Sequence, residues 1–315
     1  MARRFCTLAL ALATIWNLLA ADSHAQQLRD DMVFLSQPAD IKPNYDSLLE
    51  LARGYRLGYT ELAAANLKVD PWSPVAAKNL VIPKTQILPD APRLGIVINL
   101  ADQRLYYFSP DHEIKFTAPI GIGGMDGVTP LGQTKVVNKR VNPVWIPTPN
   151  IRKRHPEYPA SVPPGPDNPL GAMALYLGWP SYLIHGTNRP LSIGRRLTSG
   201  CIRLYPEHIE MLYGMVKVGT PVTVVDQPVK VGWLDGELYL QVFPTQSQAE
   251  EIEVNGSFTP GQVDDLTRRI VSKAGDAVDR IDWRLVTRTA AQRTGIAVKI
   301  TRPGETSRRV AAGPP

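Results

Sequence analysis

Two kinds of hydrophobic pattern divide the chain. Between residues 45 and 83, Leu48, Leu51, Ala52 and Tyr55, then Leu62 and Ala65, recur at helical spacing. Gly54 and Gly58 punctuate them, so two short helices are predicted, followed by a closing strand at residues 80–83. From 94 to 226 short apolar runs take over. Strands are predicted at 94–100 and 104–108 around a polar turn, Ala101-Asp102-Gln103, and again at 135–137 and 221–225. One helix is expected in this region, from Pro206 to about Val216, with Pro at its first position and Glu207 complementing its N-terminus. His208 on that helix reads as exposed. Residues 147–169 are Pro-rich and carry Arg152, Lys153, Arg154 and His155, which predicts a long irregular loop of the kind that often forms a lid. Beyond Gln227, runs at 229–232 and 238–243 bracket Asp235-Gly236, a hairpin turn signal. Helices near 263–273 and 278–293, with Trp283 in the core, and a strand at 296–300 complete the pattern. A disordered tail is expected at 304–315.

The first residues change the picture of the thiols. Met1-Ala2-Arg3-Arg4, an apolar run over 8–21 and Ser23-His24-Ala25 have the order of a secretory signal peptide, residues 1–25, cut after Ala25. The run is short for a membrane span, which needs about 20 residues. Cys6 leaves with that segment, so Cys201 is the one cysteine of the mature chain. A lone thiol in an exported protein is either buried and inert or reactive. Loss of Arg3, Arg4 and Asp22 lowers the formal charge from +6 to +5. That suits a polyanionic surface such as a cell envelope, and no motif or basic helix points to nucleic acid. One remaining Cys without ligand-spaced His speaks against zinc, and Gly121-Ile122-Gly123-Gly124 lacks the context of a dinucleotide loop, so no cofactor is expected.

Candidate chemistry concentrates in 184–204. His185 and Cys201 lie sixteen residues apart, with Ser199-Gly200 before the thiol. A thiol becomes a useful nucleophile at neutral pH through a base or a positive neighbour. A loop between adjacent strands would bring the two together, Gly200 would admit close backbone approach, and N–H groups near Gly200 and Cys201 would hold an oxyanion. By spacing alone, a His and a Cys in one loop are more often unrelated than catalytic.

The residues themselves narrow this. His185-Gly186-Thr187 and Ser199-Gly200-Cys201-Ile202-Arg203 resemble the signature of the L,D-transpeptidase (YkuD) family. Thr129-Pro130-Leu131-Gly132, Asn142-Pro143-Val144-Trp145 and Asn168-Pro169-Leu170-Gly171 are similar to its accessory motifs. Asp46–Ala52, Leu62, Asn66 and Ile82-Pro83 resemble a glycan-binding LysM module, although Tyr45 stands where that module usually has Gly. The resemblance implies a mainly β catalytic domain at 91–226, a YkuD-like β-sandwich, after a small α+β LysM-like module at 26–90, and the pattern beyond Gln227 adds a small α/β appendage at 227–303. It implies a periplasmic enzyme acting on peptidoglycan stem peptides and glycan, with a stem peptide, outer-membrane protein or lipoprotein as acceptor. Cys201 would be the nucleophile, His185 the base and the Gly186 carbonyl its orienter, while Arg203, Asn188 and Trp145 are candidates for contact with substrate. Ser199 stands where the family often has a second His, so any assisting role would pass to a hydroxyl. A hydrolase using the same thioester and a non-catalytic peptidoglycan-binding protein are the alternatives.

Overall fold

A computed structural model describes residues 27–35, 45–74, 79–124 and 127–302. The expected signal peptide and tail lie outside the described residues. Strands β1 (Gln27–Arg29), β2 (Met32–Phe34) and β3 (Thr85–Ile87) form a small antiparallel sheet. Between β2 and β3 lie the two expected helices, α1 (Leu48–Gly54) and α2 (Tyr59–Ala65). Ser47 caps α1 by accepting from the Glu50 N–H. The strand expected at 80–83 is absent, and pairing begins later, at Thr85. The Asn66 side chain takes both backbone groups of Val81, each at 2.8 Å, and so holds that segment in place of a strand partner.

The centre is an eight-stranded sheet built from β4 (Gly95–Asn99), β5 (Arg104–Phe108), β6 (Ile114–Pro119), β7 (Gly132–Val141), β8 (Met173–Leu177), β9 (Leu183–His185), β10 (Ile202–Arg203) and β11 (Pro221–Val225). Its order is β10-β9-β8-β7-β11-β4-β5-β6. The expected sandwich of two packed sheets is corrected here. A single sheet curls until its ends meet, where Gly121, just past β6, exchanges two 2.9 Å backbone hydrogen bonds with Arg203 of β10. Ile96, Ile98, Leu105, Ile184 and Ile202 fill the interior. The helix α4 (Pro206–Met215) adds Ile209 and Leu212 to that core. His208 is therefore buried, edge-on to Phe116 and Tyr205, and not exposed as its helix position suggested. The expected lid loop contains a further helix, α3 (Pro149–Arg154), capped by Thr148.

The C-terminal part pairs β12 (Val229–Leu234) with β13 (Glu237–Val242) around Asp235 and Gly236, both at positive φ as the turn requires. β14 (Val298–Lys299) completes this sheet, and α5 (Gln246–Asn255), α6 (Leu266–Ala274) and α7 (Trp283–Gln292) accompany it. Helix α5 escaped the periodicity, yet its Thr245–Gln248 capping box is a sequence signal. Trp283 opens α7 with 37% of its surface exposed, because Val286 and Ala290 form the buried stripe instead.

A buried polar network joins the three parts. Glu61 of α2 pairs with Arg104 of β5 at 2.7 Å and accepts from Gln86 of β3 at 2.6 Å. Asp102 pairs with Lys230 of β12 at 2.6 Å and accepts from the Tyr106 hydroxyl. Gln241 of β13 donates to Gln86 at 3.0 Å and accepts from the Ile87 N–H. The turn at 101–103 is polar yet buried, because Asp102 faces Lys230 rather than water. Buried charges persist only when paired and hydrogen-bonded, so this network fixes the register of all three parts.

Candidate active site

β9 and β10 run parallel, with Ile184 opposite Ile202 and His185 opposite Arg203. Ile184 and Ile202 point into the core. Alternation therefore sends His185, Arg203 and Cys201, which precedes β10, to the other face. Cys201 lies diagonally across from His185 on that face. The sixteen-residue separation is closed by one strand pair, as a loop between adjacent strands would do.

The ring of His185 is buried, with Nδ1 2.6 Å from the Gly186 carbonyl oxygen. A carbonyl only accepts, so Nδ1 carries the proton. Burial, with Arg203 nearby, brings His185 down to about 3, against raising contacts with Gly186 and Leu170. The imidazole is thus neutral at neutral pH, and Nε2 is left as a proton acceptor. Burial pushes the Cys201 thiol up, opposed by a Leu183 hydrogen bond and the Arg203 charge. Its Sγ lies 3.5 Å from the Ser181 carbonyl. The resting pair is a neutral thiol beside a neutral imidazole.

The loop that presents the thiol is held by hydroxyls which sequence reasoning passed over. Thr198 Oγ1 donates to the Cys201 carbonyl at 2.6 Å and accepts from the Gly200 N–H at 3.1 Å. Thr129 Oγ1 donates to the Gly200 carbonyl at 2.9 Å. The Gly200 N–H is therefore already engaged by the Thr198 hydroxyl. Gly200 itself has φ +107°, a conformation that favours glycine. Behind His185, Gly171 has φ +65°, and a Cβ there would fall 2.7 Å from the Thr187 nitrogen.

The lid reaches the same loop. Arg154 of α3 donates to the Ser199 hydroxyl at 3.1 Å. Ser199 thus takes a contact from the lid. Asn188 donates to the Asp167 carbonyl at 3.0 Å, tying the His185 loop to the lid's far end. Trp145 is half-buried at the lid's base, bridged to Val162 and edge-on to Tyr158. Asn168 is fully buried and donates to the carbonyls of Pro143, Val162 and Pro163, while its own carbonyl accepts from the Leu170 N–H. The Nε of Arg203 is buried without a hydrogen-bond partner. Among the described residues, no cluster of three or more His, Cys, Asp and Glu is placed to hold a metal ion.

The L,D-transpeptidase catalytic domain (YkuD) matches residues 93–224. Over 281 residues, 86% of this chain and 89% of the relative, the chain is 37% identical to the probable L,D-transpeptidase ErfK/SrfK of Salmonella typhimurium. This chain belongs to the L,D-transpeptidase (YkuD) family. It is also 47% identical over 193 residues to the probable L,D-transpeptidase YcfS of Escherichia coli, a match spanning 59% of this chain and 60% of that protein, less than two thirds of its length. With the probable L,D-transpeptidase YbiS of Escherichia coli the identity is 42%, over 66% of this chain and 69% of the relative. The curled sheet is the YkuD-type catalytic domain, and the family is one of acyltransferases.

Proposed function

We propose that the chain is a periplasmic peptidoglycan L,D-transpeptidase working through a Cys201 thioester. The observation that carries this is the neutral His185, held through Nδ1 by the Gly186 carbonyl on the face that also presents Cys201. As Sγ attacks the carbonyl of the third residue of a tetrapeptide stem, His185 Nε2 takes the thiol proton. The Cys201 N–H faces the developing oxyanion. The C–N bond then breaks, the His185 proton passes to the departing D-Ala amine, and a thioester remains. An acceptor amine attacks that thioester and gives its proton to His185, which passes it to the Cys201 sulfur as the C–S bond breaks. Arg203, with its unpartnered Nε, meets a substrate carboxylate, and Trp145 and Asn188 border the groove under the lid. The acceptor is another stem peptide, giving a cross-link, or a lysine of an envelope protein.

The 26–90 segment is, in this account, a LysM-like glycan anchor. Residues 227–303 form an appendage that braces the catalytic domain. Water in place of the amine would make the same site a hydrolase, and the Arg154–Ser199 contact, which lowers the lid over the thiol loop, favours exclusion of water.

Mass spectrometry of disaccharide-tetrapeptide muropeptides incubated with the chain separates these outcomes. Dimers that vanish with Cys201→Ala are expected. Tripeptides alone would mean hydrolysis, and unchanged substrate would mean a binding protein. Sedimentation of the full chain with sacculi tests the anchor, which predicts retention on the pellet independent of Cys201.

A further inference from the structure

A second recess opens beside the catalytic loop, where the N-terminal helices meet the curled sheet. It is an open recess of about 850 Å³ lined by Tyr45, Glu50, Arg53, Arg56, Arg189 and Glu207, among others. Its walls come from both parts. Arg53 lies in the last turn of α1, Arg56 two residues beyond its end, and Arg189 four residues past His185. The two parts are locked together there, since the Thr60 hydroxyl donates to the Gly194 carbonyl at 2.7 Å and the Tyr205 hydroxyl to the Leu57 carbonyl at 3.1 Å. The recess is therefore a fixed feature of the fold.

Its chemistry is specific. Among the described residues, none of the three guanidinium groups forms an ion pair, although Glu50 and Glu207 share the same rim. Arg53 instead lies over the Tyr205 ring, 5.9 Å from its centroid. Arg56 has φ +56°, in the left-handed region just past a helix, where glycine or asparagine is favoured. Arg189 lies four residues past His185 and Glu207 four past Arg203, so both stand within about 14 Å of chain from the strand pair that carries the site.

We propose that this recess is the acceptor subsite, binding a second stem peptide by its carboxylates. Arg53, Arg56 and Arg189 receive the carboxylates, in the fork geometry that guanidinium offers, leaving the acceptor's amine free to reach the Cys201 thioester. Three guanidinium groups suit an anionic peptide better than a neutral glycan. The N-terminal module then selects the acceptor, so the choice between the two parts of the reaction is divided between two parts of the fold. The proposal rests on the transpeptidase reading above and names the partner of its second step.

The test separates the two half-reactions in the full chain. Disaccharide-tetrapeptide serves as donor, and the acceptor is either the same muropeptide or glycinamide, an amine without a carboxylate. The double variant Arg53→Ala/Arg56→Ala is expected to acylate Cys201 at the wild-type rate by intact mass, and to transfer to glycinamide as before. Its KM for the muropeptide acceptor should rise about tenfold or more, with dimers falling accordingly. Arg53→Lys/Arg56→Lys should recover part of that loss by keeping the charge. Unchanged dimer formation in the Ala variant would overturn the proposal, as would equal losses with both acceptors or a parallel loss of acylation. If the wild-type chain forms no Cys201 adduct at all, the transpeptidase reading itself fails, which is distinguishable from an acceptor defect.

Discussion

His185 and Cys201 are arranged so that neither is charged at rest. Burial lowers the imidazole and raises the thiol, and both shifts disfavour a standing thiolate–imidazolium pair. The sign of the pH dependence follows. A raised thiol stays protonated until alkaline pH, so iodoacetamide alkylation of Cys201 should climb with pH through an inflection above the ordinary thiol value of about 8.5. A flat, fast rate from pH 5 upward would mean a pre-formed ion pair and contradict this. Both residues were legible in the sequence because their neighbours formed a motif. Thr198 and Thr129, which hold the thiol loop, were not legible as such. A hydroxyl that bonds a backbone carbonyl across the fold has no local signature, and Thr129 acts on Gly200 from 71 positions away.

At the scale of elements, the lid and the short strands decide what the pair can do. The Arg154–Ser199 bond joins residues 45 positions apart on two elements. It is worth ~1 kcal/mol, so Arg154→Ala and Ser199→Ala should each slow Cys201 acylation about fivefold. Because they share one bond, the double variant should be no slower than either single one. Additive losses in a double-mutant cycle would remove the link. Asn168 is the lid's internal anchor, and Asn168→Ala leaves the Pro143 and Pro163 carbonyls and the Leu170 N–H to find other partners, while the Val162 carbonyl keeps its bond from the Trp145 N–H. A loss of about 1–3 kcal/mol in urea unfolding and slower acylation are expected, with unchanged far-ultraviolet circular dichroism. Wild-type stability in that variant would show the lid to be held elsewhere. The helix within the lid had its signals in view, Thr148 followed by Pro149. Composition hid them, since a Pro-rich stretch with four basic or imidazole side chains reads as loop. β9 and β10 span three and two residues, too short for alternation to register. β6 does alternate, Ile114, Phe116 and Ala118 against Lys115 and Thr117, and was overlooked beside the stronger runs.

Across the whole molecule, the three parts behave as one body because charges are buried between them. Glu61 and Arg104 each keep 2% of their side-chain surface, so Glu61→Ala strands a buried guanidinium. A loss of about 3–5 kcal/mol is expected in denaturant unfolding of the full chain. A change below ~1 kcal/mol would show that the N-terminal helices are only loosely docked. The sequence pattern drew these parts as different in kind, and it read Ala101-Asp102-Gln103 as a polar turn without marking it as buried. Pairing partners such as Lys230, 128 positions away, carry no periodic trace. The curl of the sheet was also invisible, because it depends on Gly121 meeting Arg203 at the closure. That closure places Cys201 and His185 at the seam, with the lid above and the charged recess beside them. The central claim is the thioester on Cys201. Intact-mass measurement of the full chain during turnover of a disaccharide-tetrapeptide tests it most directly. The account predicts an adduct equal to the muropeptide less its terminal D-Ala, located on Cys201 by peptide mapping and absent from Cys201→Ala. Turnover of the same substrate by Cys201→Ala, or turnover by the wild type with the adduct on another residue, would contradict it.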